Sequence, residues 1–426
     1  MDPIEFLLSL EVLGMKFGLE NMRRLCGALG HPEQHFRSVI VAGTNGKGSA
    51  TAMLSASLHA AGHRGARYTS PHLTRLEERF VIEESEVDRV ALRSAAAAIQ
   101  QAVERLLQHG DLEAPPTFFE CTTAVAFEIF RRAGVDLAIL EVGLGGRLDA
   151  TNVVSPVAAA ITSIGLDHQA QLGSTLAGVA REKAGVIKPG IPVVCGPLPA
   201  EADDVVAQVC REQGARQVAV ERLVRVEAAL QEGRTVVSIE TPHRRLTGVP
   251  LALTGRHQAQ NAAVAVAVLD ELDQLGIEIR DEAIVTGLST ARWPGRLERF
   301  HWRGCDVLLD AAHNPAGARV LAAYLRELGW TDVTLVFGAM RDKDVRGMLA
   351  ELLPMCSLLV CTAAPGERAL PPTELAAVAG ELGVASARVE AVPDAERALV
   401  RACEEGNRVL AAGSIFLIGP LRDILR

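Results

Sequence analysis

The sequence predicts an α/β protein of two domains built on mostly parallel sheets. Three observations predict it. Short apolar runs alternate with Ala- and Leu-rich stretches of helical length. The 426 residues exceed what one hydrophobic core usually organises. A Trp-Pro-Gly break at Trp293–Gly295 interrupts helical text, and the same strand–helix alternation resumes beyond it.

In chain order, RSVIVAGT (37–44) reads as a buried strand, followed by a glycine-rich turn and a helix to about residue 61. DLAILEVG (136–143) and VAAAITSIG (157–165) read as the next buried strands. TLAGVAREKAGVIKPG (175–190) reads as a helix stopped by Pro189-Gly190, and IPVVCG as another strand. Residues 218–240 alternate as an antiparallel hairpin against the main sheet would, and HQAQNAAVAVAVLDEL (257–272) is helical. Past the break, DVLLDAAH, DVTLVFGAM, LLVCTA and RVLAAGSIFLIG read as strands with helices between them. The expected domains are 1–294 and 295–426.

An apolar content of 49% with 22% charged residues suits a soluble globular enzyme. A net charge of -9 argues against nucleic acid or an anionic membrane as partner. Any phosphate must then bind in a local basic pocket. The amino-terminal MDPIEFLLSLEVLG lacks the basic start and small-residue cleavage site of a signal peptide, and no apolar run is long enough to span a bilayer. The eight cysteines form no C-x-x-C pair and no zinc spacing, which suits reduced thiols in the cytoplasm. A monomer is the default expectation, since no exposed apolar stripe stands out.

Candidate chemistry begins at VAGTNGKGSATA. Three glycines and a lysine within six residues follow a strand and open a helix. The strict G-x-x-x-x-G-K-[ST] pattern fails, because its first glycine would fall on Val41 and Gly48 follows Lys47. The stretch is either a variant phosphate loop or a plain turn. As a phosphate loop, Gly43, Gly46 and Gly48 would let the backbone approach an anion, with Thr44 and Asn45 between them. Lys47 would add charge, and Ser49 is the first hydroxyl able to reach Mg²⁺. Glu141 ends a buried strand, where an α/β sheet places a metal carboxylate. Asp167-His168 follows the third strand. On its own His168 reads as a solvated or satisfied imidazole, which is no preferred Mg²⁺ ligand. Arg181, Glu182 and Lys183 interrupt a small apolar helix, and composition favours a solvent face. Asp310 and His313 close a strand of the second domain, ahead of a helix opened by Asn314-Pro315. Arg296 lies on the linker, placed to swing onto a triphosphate.

GTNGKGS, YTSPHL, FFECTTAVAF, EVGLGGRLDATN, ITSIGLDH, REKAGVIK, RHQAQNA, PGRLE and DAAHNP occur in this order over nearly the whole chain. Together they closely resemble the folylpolyglutamate synthase/dihydrofolate synthase family, a branch of the Mur-ligase-like ATP-dependent amide ligases. The resemblance implies a Mur-ligase central-type domain carrying the shortened phosphate loop and a smaller Rossmann-like glutamate ligase domain. It implies that Gly43, Thr44, Asn45, Gly46, Lys47, Gly48 and Ser49 cradle ATP. Asn261 would meet the adenine, Asp310 the ribose and Arg296 the phosphates. Ser49 and Glu141 would hold one Mg²⁺, with His168 joining them or a second Mg²⁺, and the resemblance leaves room for K⁺. Lys183 matches the lysine that carries a carbamate. His313 and Ser414 would handle L-glutamate, and Ser70, Thr117, Phe119 and Asp149 the pteroate end, beside the stretch LGMKFGLENMRRL. The implied reaction adds L-glutamate through an acyl phosphate to dihydropteroate and to reduced folates. The alternatives are polyglutamylation alone, a Mur-type ligase acting on a UDP-sugar, or a nucleotide-binding switch without ligase chemistry.

Overall fold

The computed structural model describes residues 1–14, 16, 18–231, 233–383 and 388–426. Met15 and Phe17, within the amino-terminal stretch placed beside the pteroate end, lie outside the described residues. The chain divides into two units. The first comprises Met1–Ala229, Val236–Ala252 and Gln258–Arg292, and the second Leu230–Thr235, Leu253–His257 and Trp293–Arg426.

The central strands of the first unit are its apolar runs. They are β1 (Arg37–Ala42), β2 (Gly65–Tyr68), β3 (Phe80–Ile82), β4 (Ser85–Glu86), β5 (Leu137–Glu141), β6 (Ala158–Ile161), β7 (Pro192–Cys195) and β8 (Arg216–Ala219). They form one sheet in the order β4-β3-β2-β5-β1-β6-β7-β8. Every pairing from β2 to β8 is parallel, and β3 and β4 add an antiparallel edge. Parallel strands need both faces covered, which explains unbroken Val/Ile/Ala runs without polar alternation. One face packs Tyr68, Phe80, Phe127, Phe130 and Leu140 into a core; the other packs Ile40, Ile161, Val179, Val193 and Val206. Register sets Val41 opposite Glu141 and Ala160, so the chain leaves β1, β5 and β6 side by side at the carboxyl edge.

The helix Phe118–Ala133 opens with a reciprocal cap between Thr117 and Glu120 and ends at Gly134 in a left-handed conformation. A separate sheet, ordered β11-β10-β9, comprises β9 (Arg225–Gln231), β10 (Arg234–Glu240) and β11 (Arg245–Pro250). Arg244, at the β10–β11 turn, is buried with an ion pair to Asp270. It also donates to Ile279 O at 3.1 Å and Asp281 Oδ1 at 2.9 Å. That ties the turn to the helix Arg256–Gln274, which carries Asn261.

The second unit holds β12 (Glu298–Trp302), β13 (Cys305–Leu309), β14 (Val333–Phe337), β15 (Cys356–Cys361), β16 (Arg388–Ala391) and β17 (Arg408–Ala412). Their order is β12-β13-β17-β14-β15-β16, with only β12 antiparallel to its neighbour. Three expectations need correction. Residues 218–240 are not one hairpin against the main sheet: Val218 and Ala219 end β8, parallel to β7, Val220–Leu223 is a helical turn, and β9 and β10 lie in the separate sheet. RVLAAGSIFLIG is a strand only to Ala412, and its second half begins the helix Ile415–Leu425. An apolar run buried on all sides has no periodicity to separate the two states, and the break is made by Gly413 and the cap Ser414. The helix in 175–190 is Leu176–Ala184, which stops at Gly185 well before Pro189. No helix among the described residues is long and apolar enough to cross a membrane.

Candidate active site

The loop Gly43–Ser49, the candidate phosphate loop, is built by β1 and by the residues that follow β6. Gly43 has φ 152° and Gly46 φ 88°, conformations that side chains disfavour. A Cβ on Gly43 would lie 2.0 Å from Thr162 Oγ1, and one on Gly46 2.3 Å from Asn261 Oδ1. Both glycines are therefore required by close neighbours as well as by the turn. Thr162 Oγ1 and Ser163 Oγ donate to Asn45 O at 2.7 and 3.0 Å, and Asn45 N donates to Ser163 Oγ at 3.0 Å. Thr44 exchanges hydrogen bonds with Gly165 through its hydroxyl. The loop is thus shaped by the protein's own hydrogen bonds. Gly43→Ala is expected to lower stability by about 2 kcal/mol, since the Cβ must displace Thr162. A urea titration of the variant beside wild type measures it.

The lysine side chain folds back over the loop. Lys47 Nζ donates to Gly43 O at 3.0 Å and Thr44 O at 3.3 Å. Lys183 Nζ donates to the same Gly43 O at 2.9 Å. Lys183 is only 5% exposed, and burial together with the Lys47 charge pushes its amine down to about 7, against the opposing pull of Asp167 and Asp149. Composition had favoured a solvent face for the charges of this helix. That holds for Arg181, which is exposed, and fails for Lys183. A helix turns about 100° per residue, so residues two apart such as Arg181 and Lys183 face nearly opposite ways.

Ser49 and Glu141 are both buried at the same sheet edge. Ser70 N donates to Glu141 Oε2 at 3.4 Å. His168 has φ 50° and caps the short helix Gln169–Leu172, and its amide donates to Asp167 Oδ1 at 2.9 Å. Among the described residues no three His, Cys, Asp or Glu side chains cluster as a metal cage. A hydroxyl and a carboxylate are hard oxygen donors, and they fit Mg²⁺ shared with nucleotide phosphates.

Asp149 is buried, and burial raises its carboxyl against the hydrogen bonds it accepts. Those come from Leu144 N at 2.9 Å, Thr151 N at 3.0 Å and Thr151 Oγ1 at 2.6 Å. The Thr117 hydroxyl accepts from Glu120 N at 3.2 Å and donates to Glu120 Oε2 at 2.9 Å. The Phe119 ring lies against Gly143, where an added Cβ would come within 2.6 Å of it. Tyr68 stands 6.1 Å from Phe119 between ring centroids and shares its hydroxyl with Thr122 and Thr123. The buried Arg79 donates to His72 Nδ1 at 2.8 Å and packs over Phe118 at 5.0 Å.

In the second unit, Asp310 directly follows β13. Its carboxylate accepts from Leu297 N at 3.0 Å and Ala312 N at 2.8 Å. Burial raises its carboxyl while Arg296 pulls the other way. The first of these bonds pins Leu297 at φ 46°, directly after Arg296. His313 Nδ1 lies 3.0 Å from Ala311 O, and Gly413 N donates to Ala312 O at 3.0 Å. Ser414, buried, caps the helix Ile415–Leu425 by accepting from Phe416 N at 3.2 Å.

Two histidines are kept neutral. Burial first, and then the Arg79 charge, push His72 down to about 4; burial and Arg296 do the same to His257. An exposed histidine titrates near 6.5. Between these values the unfolded chain binds more protons than the native one, so stability rises with pH. The contribution is complete above about 6.5 and is lost as pH falls towards 4. Urea midpoints across that range should slope accordingly, and His72→Gln or His257→Gln should each flatten the slope.

Residues 41–269 match the Mur ligase middle domain and residues 295–415 the Mur ligase, glutamate ligase domain. The dihydrofolate synthase/folylpolyglutamate synthase of Escherichia coli K12 is 32% identical over 423 residues, spanning 99% of this chain and 94% of that protein. The chain belongs to the dihydrofolate synthase/folylpolyglutamate synthase branch of the Mur ligases. A probable bifunctional folylpolyglutamate synthase/dihydropteroate synthase of Haloferax volcanii is 37% identical over 428 residues. That match covers 99% of this chain and 50% of the other, so the chain spans about half the length of such relatives. Among solved structures, Mycobacterium tuberculosis folylpolyglutamate synthase complexed with ADP and AMPPCP superposes with TM-score 0.92 at 32% identity, covering 100% of this chain and 99% of that one. E. coli FolC in complex with DHPP and ADP superposes with TM-score 0.88 at 30% identity, covering 100% and 97%.

Within this Mur-ligase branch member, the first unit gathers Gly43 to Ser49, Glu141, Lys183 and Asn261 around one loop. His168 follows the β6 segment that braces that loop. Thr117 and Asp149 are engaged in caps that shape the neighbouring segments. Arg296, Asp310, His313 and Ser414 belong to the second unit. Sequence reading missed Thr162, Ser163 and Gly165 as the braces of the phosphate loop. They lie more than a hundred residues away, and ordinary Ser and Thr carry no local signal of such a role.

Proposed function

We propose that the chain is an ATP-dependent amide ligase that joins L-glutamate to dihydropteroate and to the γ-carboxylate of reduced folates. One observation carries this reading: the buried amine of Lys183 shares the Gly43 carbonyl with Lys47 inside the phosphate loop. A plain nucleotide-binding turn has no use for a second lysine whose amine is held down to about 7. A ligase has one, because a neutral amine can attack CO₂. The N–C bond forms, one C=O electron pair moves to oxygen, and the amine releases a proton, leaving a carbamate. That converts Lys183 from a cation into an oxygen donor.

Residues 1–294 would bind ATP and the pteroate or folate, and residues 295–426 the incoming glutamate. Gly43 to Ser49 would cradle the phosphates, with Asn261 at the adenine, Asp310 at the ribose and Arg296 at the phosphates. Ser49, Glu141, His168 and carbamylated Lys183 would hold Mg²⁺ at two sites, with K⁺ as an accessory ion. Bound there, Mg²⁺ would neutralise phosphate charge. Lys47 and the loop amides stabilise the γ-phosphoryl group as its bond to the β-phosphate oxygen breaks and a new bond forms to the substrate carboxylate. ADP and an acyl phosphate result. The glutamate amine, positioned by His313 and Ser414, attacks the acyl carbon, loses a proton and expels inorganic phosphate. Ser70, Phe119, Thr117 and Asp149 border the pteroate end, the last two through the backbone they hold. The cytoplasm is the proposed location.

ADP release by the purified chain with ATP, Mg²⁺ and L-glutamate tests the reading. Dihydropteroate and tetrahydrofolate, in separate reactions, should both stimulate it. Stimulation by tetrahydrofolate alone would leave polyglutamylation only. Stimulation by neither, or by a UDP-sugar peptide instead, would overturn the substrate assignment.

A further inference from the structure

The helix Leu176–Ala184 has nine residues, and Lys183 is the last but one. Last-turn carbonyls have no partners within a helix, so this turn is prone to fray. Two of its internal closing bonds are long, Gly185 N to Glu182 O at 3.4 Å and Val186 N to Lys183 O at 3.3 Å, while Ile187 N reaches Ala184 O at 3.0 Å. Shorter bonds to this turn come from another segment. Arg147 N donates to Glu182 O at 2.8 Å. Asn152 Nδ2 donates to Gly185 O at 2.9 Å and to Arg147 O at 3.0 Å. Asn152 O in turn accepts from Lys188 Nζ at 3.0 Å.

The contact is too close for ordinary side chains. A Cβ on Gly185 would lie 2.4 Å from Arg147 Cα, and one on Gly146 2.8 Å from Lys183 O. Asn152 is itself buried, and its Oδ1 has no partner among the described residues. The side chain is therefore held by its donors alone. Turning the amide over would set its oxygen against two carbonyls. The segment that carries Asn152 leaves the sheet directly after Glu141, the end of β5.

We propose that Asn152 is a positioning residue, which caps the last turn of the Lys183 helix from outside and so holds Lys183 Nζ on the phosphate loop in register with Glu141. The inference rests on the ligase reading, in which both residues serve one centre. Asn152 touches no substrate; it acts through Lys183.

The test uses the full chain with Asn152→Ala and Asn152→Ser, the second keeping one donor, and with Arg181→Ala on the exposed face of the same helix as control. Steady-state ADP release gives kcat and KM, and ¹³C-bicarbonate with NMR detection gives the carbamate. Asn152→Ala should lower kcat by about 10-fold or more, the scale for removing a group that orients a ligand. The KM for ATP should stay within about 3-fold of wild type, since the phosphate loop is untouched. Its carbamate signal should fall and recover with added bicarbonate. Asn152→Ser should lie between Asn152→Ala and wild type, and it carries the test if the alanine variant does not fold. Wild-type kcat or wild-type carbamate occupancy in the folded variants overturns the proposal. A wild-type protein without carbamate instead overturns the Lys183 reading, and the kcat comparison then decides the role of Asn152.

Discussion

Lys47→Ala is expected to lower turnover by about 10³-fold, the upper scale for removing one donor aimed at developing charge. The side chain spends its hydrogen bonds on Gly43 O and Thr44 O, so its ammonium is fixed over the loop rather than ranging through solvent. Lys183 Nζ, which shares Gly43 O, is a poor replacement, because it is buried and pushed down to about 7. Folding should be nearly unaffected, since Lys47 is only partly buried. Thermal melts and steady-state ADP release on the same preparation separate the two effects. Turnover within a few-fold of wild type would remove the phosphate-loop reading.

Lys183→Ala is expected to cost about 10²-fold or more in turnover, again on the scale of one charged group at a transferring phosphoryl. Here the variant should fold at least as well as wild type, because a buried amine is a burden on the native state. Lys183→Arg separates charge from chemistry. It retains a cation but has no amine able to take up CO₂, and it should be as inactive as the alanine variant. Short carboxylates such as acetate or propionate, added at high concentration, should restore part of the activity of Lys183→Ala by supplying the missing oxygens. An active Lys183→Arg would show that only positive charge is needed there.

The fold was legible wherever burial on both faces left an uninterrupted apolar run. β1, β5, β6 and β14 are such runs, and their flanking glycines and caps marked where each ends. The same feature misled at 408–419, because a run buried all round carries no period, and the change from strand to helix rests on Gly413 and Ser414 alone. The edge strands β3 and β4 were invisible for the opposite reason: three residues and two are too short for any pattern to register. Of the proposed site, Gly43 to Ser49 and Glu141 are suggested by position on a strand–loop–helix unit. Lys183 could not, since its burial depends on which way a short helix faces. Asn152, Thr162 and Ser163 act through bonds to distant backbone, which no local spacing announces.

The arrangement of the parallel sheet in the first unit bears on how the chain can be altered. Every residue assigned to chemistry there leaves from the carboxyl ends of β1, β5 and β6 or packs against what does. The connections at the other edge, such as Gly134–Asp136 before β5 and Gly214–Ala215 before β8, carry only the return of the chain. Peptide tags, fluorophores or new termini opened at Gly214–Ala215 should therefore be tolerated, while one inserted residue between Glu141 and Asn152 would shift the whole strut. The protein offers an engineer one edge of the sheet and reserves the other.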